Sequence, residues 1–129
     1  MALKIRSKAG MPLSGEEIID RYFNCIGNKD LDGILDLFDD DAIVYEPFSK
    51  MQGLHGSTQI EPFLKVAMMA NDNLRRAIRI EKVTSPDKIT ALVLFEKGAK
   101  ITGRFTFEFT DPSISAGERR IKSLRIEFP

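Results

Sequence analysis

The stretch ITGRFTFEFT, Ile101 to Thr110, has the clearest pattern in this 129-residue chain. Ile101, Phe105, Phe107 and Phe109 fall on one face of a predicted strand, and the intervening polar side chains fall on the other. Such alternation is typical of an antiparallel strand with one face buried and one face toward water. The stretch therefore predicts a half-buried strand with an aromatic inner face.

Similar runs on both sides of this stretch make the second half of the chain a predicted sheet. They span roughly 74–84, 88–97, 99–110 and 119–128, and turn residues separate them. Gly98, between two long runs, predicts a hairpin. Strands of this length twist and curl, so we expect a bent sheet rather than a flat one.

The first half of the chain predicts three helices. Ser14 and Glu17 have the spacing of a capping box, and apolar residues at helical spacing continue to Gly27-Asn28. Asp30 can cap a second, shorter helix whose last apolar residue is Phe38. Ala42 to Glu46 then predicts a short strand.

A loop from Pro47 to Gly56 precedes the third predicted helix. Ser57 or Thr58 can cap this helix, but Pro62 lacks a backbone donor and predicts a regular start nearer residue 60. Helices first and long strands afterwards indicate an α+β fold, with the helices gathered on one face of an antiparallel sheet. We expect a flexible arm over residues 1–13 and a single domain over 14–129.

The composition argues against several classes of function. Lysine plus arginine equals aspartate plus glutamate at 19 each, so the basic excess of a nucleic-acid binder is absent. No apolar segment approaches the roughly 20 residues needed to cross a bilayer, and the first residues lack the apolar run of a secretory signal. Cys25 is the only cysteine, which excludes an intrachain disulfide. We therefore expect a cytoplasmic protein that binds neither nucleic acid nor membrane.

Two segments carry a family resemblance: RYFNCIGNKDLDGILDLFDDDAIVYEP, Arg21 to Pro47, and GLHGSTQIEPF, Gly53 to Phe63. They resemble the NTF2-like superfamily, and most closely its branch of ketosteroid isomerases and SnoaL-like polyketide cyclases. The resemblance extends in pattern from about residue 16 to residue 128. It implies a cone-shaped fold in which three N-terminal helices pack on a curved antiparallel sheet. The superfamily hosts enzymes and binding modules alike, so the fold does not by itself define an activity.

The resemblance also implies a site. In ketosteroid isomerases a carboxylate moves a proton between carbons, while a tyrosine and a protonated aspartic acid stabilise the enolate oxygen. By position, the base corresponds to Glu46, the tyrosine to Tyr22 and the second donor to Phe105, which has no proton to donate. The expected chemistry is isomerase-like or cyclase-like proton transfer on an apolar ligand without a cofactor.

Each of these residues also has a simpler interpretation. Glu46 shares a strand face with Ala42 and Val44, so it points into the cone if that face is inner, and toward solvent otherwise. Tyr22 follows Ile18 by one helical turn and faces either a ligand or the packed core.

The remaining candidates are less specific. His55, the only histidine, is an acid–base candidate or an exposed loop residue. A lone histidine without a second ligand at metal-binding spacing predicts no metal site. The residues expected to contact a ligand are His55, Phe63, Met68, Phe105 and Phe107.

The outer sheet face predicts a partner. Thr102, Thr106 and Ser123 lie there among Arg104, Glu108, Arg125 and Glu127, so side chains of both signs are present. Such a face can pair with a copy of itself around a two-fold axis, or it can remain solvated. Two hypotheses of function follow: a small enzyme that uses Glu46 and Tyr22, and a non-catalytic ligand-binding or dimerisation module.

Overall fold

The computed structural model describes residues 11–47, 52–72, 74–114 and 117–129. The helices are α1 (Gly15–Asn28), α2 (Leu31–Leu35) and α3 (Gly56–Ala70). The strands are β1 (Phe38–Tyr45), β2 (Leu54–His55), β3 (Arg75–Ser85), β4 (Lys88–Lys97), β5 (Ala99–Phe109) and β6 (Ile121–Glu127). The predicted flexible arm falls mostly outside the described residues. Leu13 is buried, and its carbonyl accepts a hydrogen bond from Arg119 Nη1 at 2.7 Å, so the packed chain reaches back at least to Leu13.

Helix α1 begins at the predicted capping box. The Ser14 hydroxyl accepts from the Glu17 backbone N–H at 3.2 Å, and the Glu17 carboxylate accepts from the Ser14 N–H at 3.0 Å. The helix ends where Lys29 adopts a left-handed conformation (φ 56°) and its N–H bonds back to the last turn. Asp30 then caps α2 through the Gly33 N–H, as its sequence position predicts.

The prediction that Phe38 belongs to the second helix is wrong. Helix α2 ends at Leu35, and Phe38 is the first residue of β1, which also contains the acidic triplet 39–41. Strand pairing explains the change, because Phe38 lies opposite Ile121 of β6 and the Ile121 N–H donates to the Leu37 carbonyl at 2.7 Å. A shift of register between Phe38 and Ile43 accommodates the acidic residues in β1.

The expected start of the third helix is also wrong. Helix α3 begins at Gly56 and contains Pro62 as an interior residue, and neither Ser57 nor Thr58 caps it. The His55 backbone N–H instead donates to Gln59 Oε1 at 2.7 Å, and Gly56 has a φ of +74° that glycine adopts without strain. Buried apolar residues hold the helix in place despite the backbone bond lost at the proline; they are Ile60, Leu64 and Met68.

Within the described residues, one six-stranded sheet contains every strand, in the order β2-β1-β6-β5-β4-β3. The four long strands confirm the predicted sheet and the Gly98 hairpin. Two features differ from the sequence expectation: β1 pairs with β6 in parallel, and the short β2 pairs with β1 inside the predicted loop. The fold is therefore α+β with a mostly antiparallel, curved sheet.

The aromatic inner face predicted for β5 is confirmed in its second half. Phe105, Phe107 and Phe109 are buried against α1, where Tyr22 contacts the Phe107 ring at a centroid distance of 5.5 Å. Ile101 is 53% exposed, because the first half of β5 lies beyond the cover of the helices. The core therefore fills the cone near α1 and leaves the other end of the long strands open.

Candidate functional site

A cavity of about 480 Å³ lies between α1, α3 and the inner face of the sheet. Its volume is within the range of small-molecule sites, roughly 300–1,000 Å³. Most of its wall is apolar, with side chains that include Phe23, Ile26, Leu54, Phe63, Ala67, Phe95, Phe105 and Ile126. Among the described lining residues, three have polar side chains: Tyr22, Glu46 and Asn71.

Tyr22 is held rigidly by its neighbours. Its ring packs edge-on against Phe23 and Phe107, at centroid distances of 5.0 and 5.5 Å, and only 2% of the residue is exposed. Within the described part of the chain the Tyr22 hydroxyl forms no hydrogen bond. Every fully enclosed side-chain oxygen in that part does form one. The Tyr22 hydroxyl is therefore not fully enclosed, and its open surface faces the cavity that Tyr22 lines. Burial raises the pKa of Tyr22 far above its usual value, and the positive charge of Arg76 opposes this only in part. The residue is therefore a neutral hydrogen-bond donor at physiological pH.

Glu46 lies on the cavity wall at the end of β1. It is half-buried and follows Ala42 and Val44, which are completely buried on the inner face of the same strand. Glu46 thus continues the alternation of these two residues on the inner face of the sheet. Glu46 and Tyr22 reach the same cavity from opposite layers, the sheet and α1.

The other predicted ligand-contacting residues lie in different places. Phe63 and Phe105 line the cavity. Phe107 and Met68 are buried, and the structure places neither among the lining residues that it describes. His55 is exposed at the start of α3, with its Nε2 3.2 Å from the Gln52 carbonyl oxygen, and is likewise outside the described lining.

Sequence reasoning missed Asn71, which lines the cavity, and Arg76, which bonds to it from outside the described lining. Asn71 ends α3, where its side-chain amide donates to the Ala67 carbonyl at 2.7 Å. Arg76 donates to Asn71 Oδ1 and to the Phe23 carbonyl, each at 3.0 Å. The signal for Arg76 was available, because Arg76, Ile78 and Ile80 alternate along β3 and share its inner face.

Gly103 leaves room for three aromatic rings at one part of the cavity wall. A Cβ at this position would lie 2.9 Å from Phe105, 3.2 Å from Phe95 and 3.3 Å from Phe128, all of which line the cavity. A glycine is therefore required for three rings to converge on this part of the wall.

No protein-family model matches the chain. No curated protein matches it either. Solved structures do match. The epoxide hydrolase/cyclase-like enzyme SalBIII, described in pyran ring formation in the polyether salinomycin, superposes with a TM-score of 0.70 at 18% identity, over 88% of this chain and 89% of that one.

Two mycobacterial structures give similar matches. The Δ5-3-ketosteroid isomerase of Mycobacterium sp. superposes with a TM-score of 0.65 at 21% identity, over 91% of this chain and 95% of that one. RV0760c of Mycobacterium tuberculosis, solved in complex with estradiol-17β-hemisuccinate, has a TM-score of 0.66 at 20% identity over the same shares of each chain. The chain has the NTF2-like fold. The resemblance drawn from the sequence is thus confirmed for the fold.

The NTF2-like cone of this chain brings a glutamate and a tyrosine to one cavity. Among the described residues, no group of three or more histidine, cysteine, aspartate or glutamate side chains could hold a metal ion. No helix in the described ranges is long and apolar enough to cross a membrane. Burial raises the pKa of Cys25, and the nearby Asp30 adds to the effect, so this thiol is not activated. Within the cavity wall, a carboxylate and a phenol are the groups suited to acid–base chemistry.

Proposed function

We propose that this protein binds a small apolar molecule bearing a ketone and catalyses proton transfer next to that ketone. One observation carries the proposal: a largely apolar cavity is lined by both Glu46 and Tyr22. Apolar walls with a few convergent polar groups are typical of sites that orient a ligand.

The two residues divide the chemistry between them. Glu46 takes the proton from the carbon next to the ketone and returns it to another carbon of the same molecule, so no net proton is gained or lost. Tyr22 donates a hydrogen bond to the ketone oxygen, where negative charge develops in the enolate. The raised pKa of Tyr22 keeps this donor protonated, and its ring contacts hold it in position.

The choice of ligand class is supported by the structural neighbours. One neighbour is a ketosteroid isomerase, another was solved with a steroid ester, and a third is a computationally designed 17-OHP binder. The cavity of this chain is large enough for such a molecule, and rings at its wall can pack on flat apolar surfaces.

The test is turnover of unsaturated ketosteroids and related enolisable ketones. We expect Glu46→Gln to lower kcat by about 100-fold or more, since a general base contributes roughly 10²–10⁴. Tyr22→Phe should lower it by roughly 10- to 1,000-fold, by comparison with other oxyanion donors. Glu96→Gln makes the same change at an exposed position of β4 and should retain full turnover.

Ligand affinity must be measured beside turnover. Retained affinity in Glu46→Gln with lost turnover supports a catalytic carboxylate. Equal turnover in wild type and both site variants, or turnover by none of them, overturns the proposed activity.

Phe105 favours a second candidate, a binding module without catalysis. Phe105 lines the cavity at the position that the resemblance gives to the second oxyanion donor, and its ring donates no hydrogen bond. Loss of one such donor costs on the order of 10²–10³ in rate in other enzymes. Binding of ketosteroids by wild type without any turnover would support this candidate over the first.

We also propose that two copies pair through the outer sheet face. That face has a groove whose wall includes Tyr45, Thr106, Glu108 and Arg125. The Arg125 guanidinium stacks 4.4 Å from the Tyr45 ring centre, so part of the surface is already ordered for contact.

A further inference from the structure

Arg76 differs from the other half-buried arginines of the described residues. The others each pair with a carboxylate at 2.6 to 3.2 Å; they are Arg104, Arg119 and Arg120. Arg76 is also half-buried, but no carboxylate of the described residues lies within 4.0 Å of its guanidinium. Its two hydrogen bonds go to neutral acceptors, the Asn71 side-chain oxygen and the Phe23 carbonyl.

A half-buried cation without an anion is costly. Burial lowers the pKa of Arg76, which means that its charged form has lost hydration. A guanidinium has five N–H donors, and the two bonds described use only two of them. The remaining donors can bind a carboxylate with both charge and fork geometry.

Arg76 is outside the described lining of the cavity, but it contacts or pairs with three residues of that lining. It is opposite Phe95 in the strand pairing, and Phe95, Phe23 and Asn71 all line the wall. Its guanidinium carbon is 5.9 Å from the centre of the Phe23 ring. An anion bound there would therefore belong to a ligand whose apolar body fills the cavity.

The sheet order puts Arg76 and Glu46 on different sides of the cavity. Arg76 is on the edge strand β3, Glu46 follows β1, and β4, β5 and β6 lie between them. Four strand spacings of about 4.8 Å amount to about 19 Å along the sheet, and its curvature shortens the direct path. This span suits an elongated ligand with different groups at its two ends.

We propose that Arg76 is an anion subsite, and that the ligand is an elongated apolar carboxylic acid whose carboxylate binds Arg76 while its other end faces Glu46. Asn71 positions the guanidinium from the end of α3. The inference rests on the proposed function in using the same cavity, but it does not require that Glu46 be catalytic.

The experiment compares a steroid acid with its methyl ester. The acid carries a ketone and a carboxylate at opposite ends of the ring system, and the ester removes only the charge. Dissociation constants are measured for wild type, Arg76→Gln, Arg76→Lys and the control Arg79→Gln. Arg79 is exposed on the other face of β3, so its substitution changes net charge equally without touching the cavity.

We expect wild type to bind the acid about tenfold or more tighter than the ester, by the strength of a hydrogen bond to a charged group. Arg76→Gln should lose this preference and keep the ester affinity, which also reports that it is folded. Arg76→Lys should retain part of the preference, and Arg79→Gln all of it. If Arg76 only offsets the partial negative charge at the C-terminal ends of α1 and α3, its substitution should not change the preference for acid over ester.

Other outcomes overturn the inference in distinguishable ways. If wild type binds the ester as tightly as the acid, the anion subsite is wrong and the proposed ligand-binding cavity stands. If the acid preference persists in Arg76→Gln, the charge is recognised elsewhere. If neither compound binds to wild type, the proposed function fails and the subsite fails with it.

Discussion

Tyr22 shows how one side chain acquires a role from burial and neighbours together. The sequence placed it on the inner stripe of α1, but it could not say whether the hydroxyl met a partner or open space. That outcome depends on where Phe23, Phe105 and Phe107 settle around the ring. Arg76 was missed although the alternation along β3 indicates its inner position, because an arginine in a strand usually faces solvent.

Tyr22 predicts a loss of stability in alkaline solution. Its folded-state pKa lies above the ordinary value of 10.0, so the folded protein holds the proton that the unfolded chain releases. The contribution of Tyr22 to stability is therefore complete below about pH 10 and declines above it, by about 1.4 kcal/mol per pH unit.

Denaturant unfolding of wild type and Tyr22→Phe between pH 8 and about pH 11 checks this prediction. The phenylalanine variant should lack the extra decline above pH 10, because it has no proton to lose. The two proteins differ only in this hydroxyl, so the difference between the two curves isolates Tyr22. Parallel curves over the whole range would contradict the prediction.

At the scale of elements, the sequence predicted the helix starts that depend on a capping side chain close by in the chain. Ser14 and Asp30 cap α1 and α2 where their side chains predict, because a capping bond joins residues three apart. The start of β1 and the short β2 depend instead on pairing with distant strands, which local patterns do not record. Helix α3 tolerates Pro62 for the same reason, since its burial against the sheet outweighs a local penalty.

The glycines at the two ends of α1 predict different changes in stability when each is replaced by alanine. A Cβ at Gly15 would lie 2.6 Å from the Phe109 ring and 2.7 Å from Ile89, inside the packed core. Gly15→Ala should therefore destabilise the protein by about 1–3 kcal/mol, although alanine is the better helix former. A Cβ at Gly27 would meet only the end of the Arg76 side chain, at 2.7 Å, and that end can swing aside.

Gly27→Ala should consequently change the free energy of unfolding by less than about 1 kcal/mol, since the gain in helix propensity offsets the lost Arg76 bond. It should also reduce the preference for the steroid acid over its ester. Thermal and denaturant unfolding of both variants, with the ligand comparison for Gly27→Ala, gives the measurement. Equal destabilisation by the two substitutions would contradict the prediction that Gly15 is tightly packed and that Gly27 contacts only a movable side chain.

At the scale of the molecule, the order of helices and strands was sufficient to predict the α+β architecture, because long alternating strands need a cover and only the preceding helices can supply it. The extent of that cover was not predictable. Ile78 and Ile80 are on the inner face of β3, yet they remain 38% and 36% exposed because the helices do not extend over this edge strand. Glu46 and Tyr22, which the resemblance gives as site residues, both line the cavity, whereas the contact between Asn71 and Arg76 required the folded arrangement.

The outer face predicts the behaviour of the molecule in solution. Its groove contains more positive than negative side chains among the described residues: Lys82, Lys88, Lys122 and Arg125 against Asp41 and Glu108. Two such faces brought together repel each other moderately, so added salt should strengthen the pairing of two copies by screening this excess. Thr106→Arg adds one more cation to the groove of each copy and should shift the equilibrium toward monomers.

Sedimentation measurements over a range of protein and salt concentrations check this prediction. Asn24→Arg is the control, because it adds the same charge on the exposed side of α1, away from the sheet, and should leave the pairing unchanged. A wild-type protein that sediments as a monomer at every concentration and salt would overturn the proposed dimer. A dimer that persists equally in Thr106→Arg and Asn24→Arg would show that the interface lies on another surface. An added cation at Thr106, on the groove wall, must weaken pairing if the partner sheet contacts that groove.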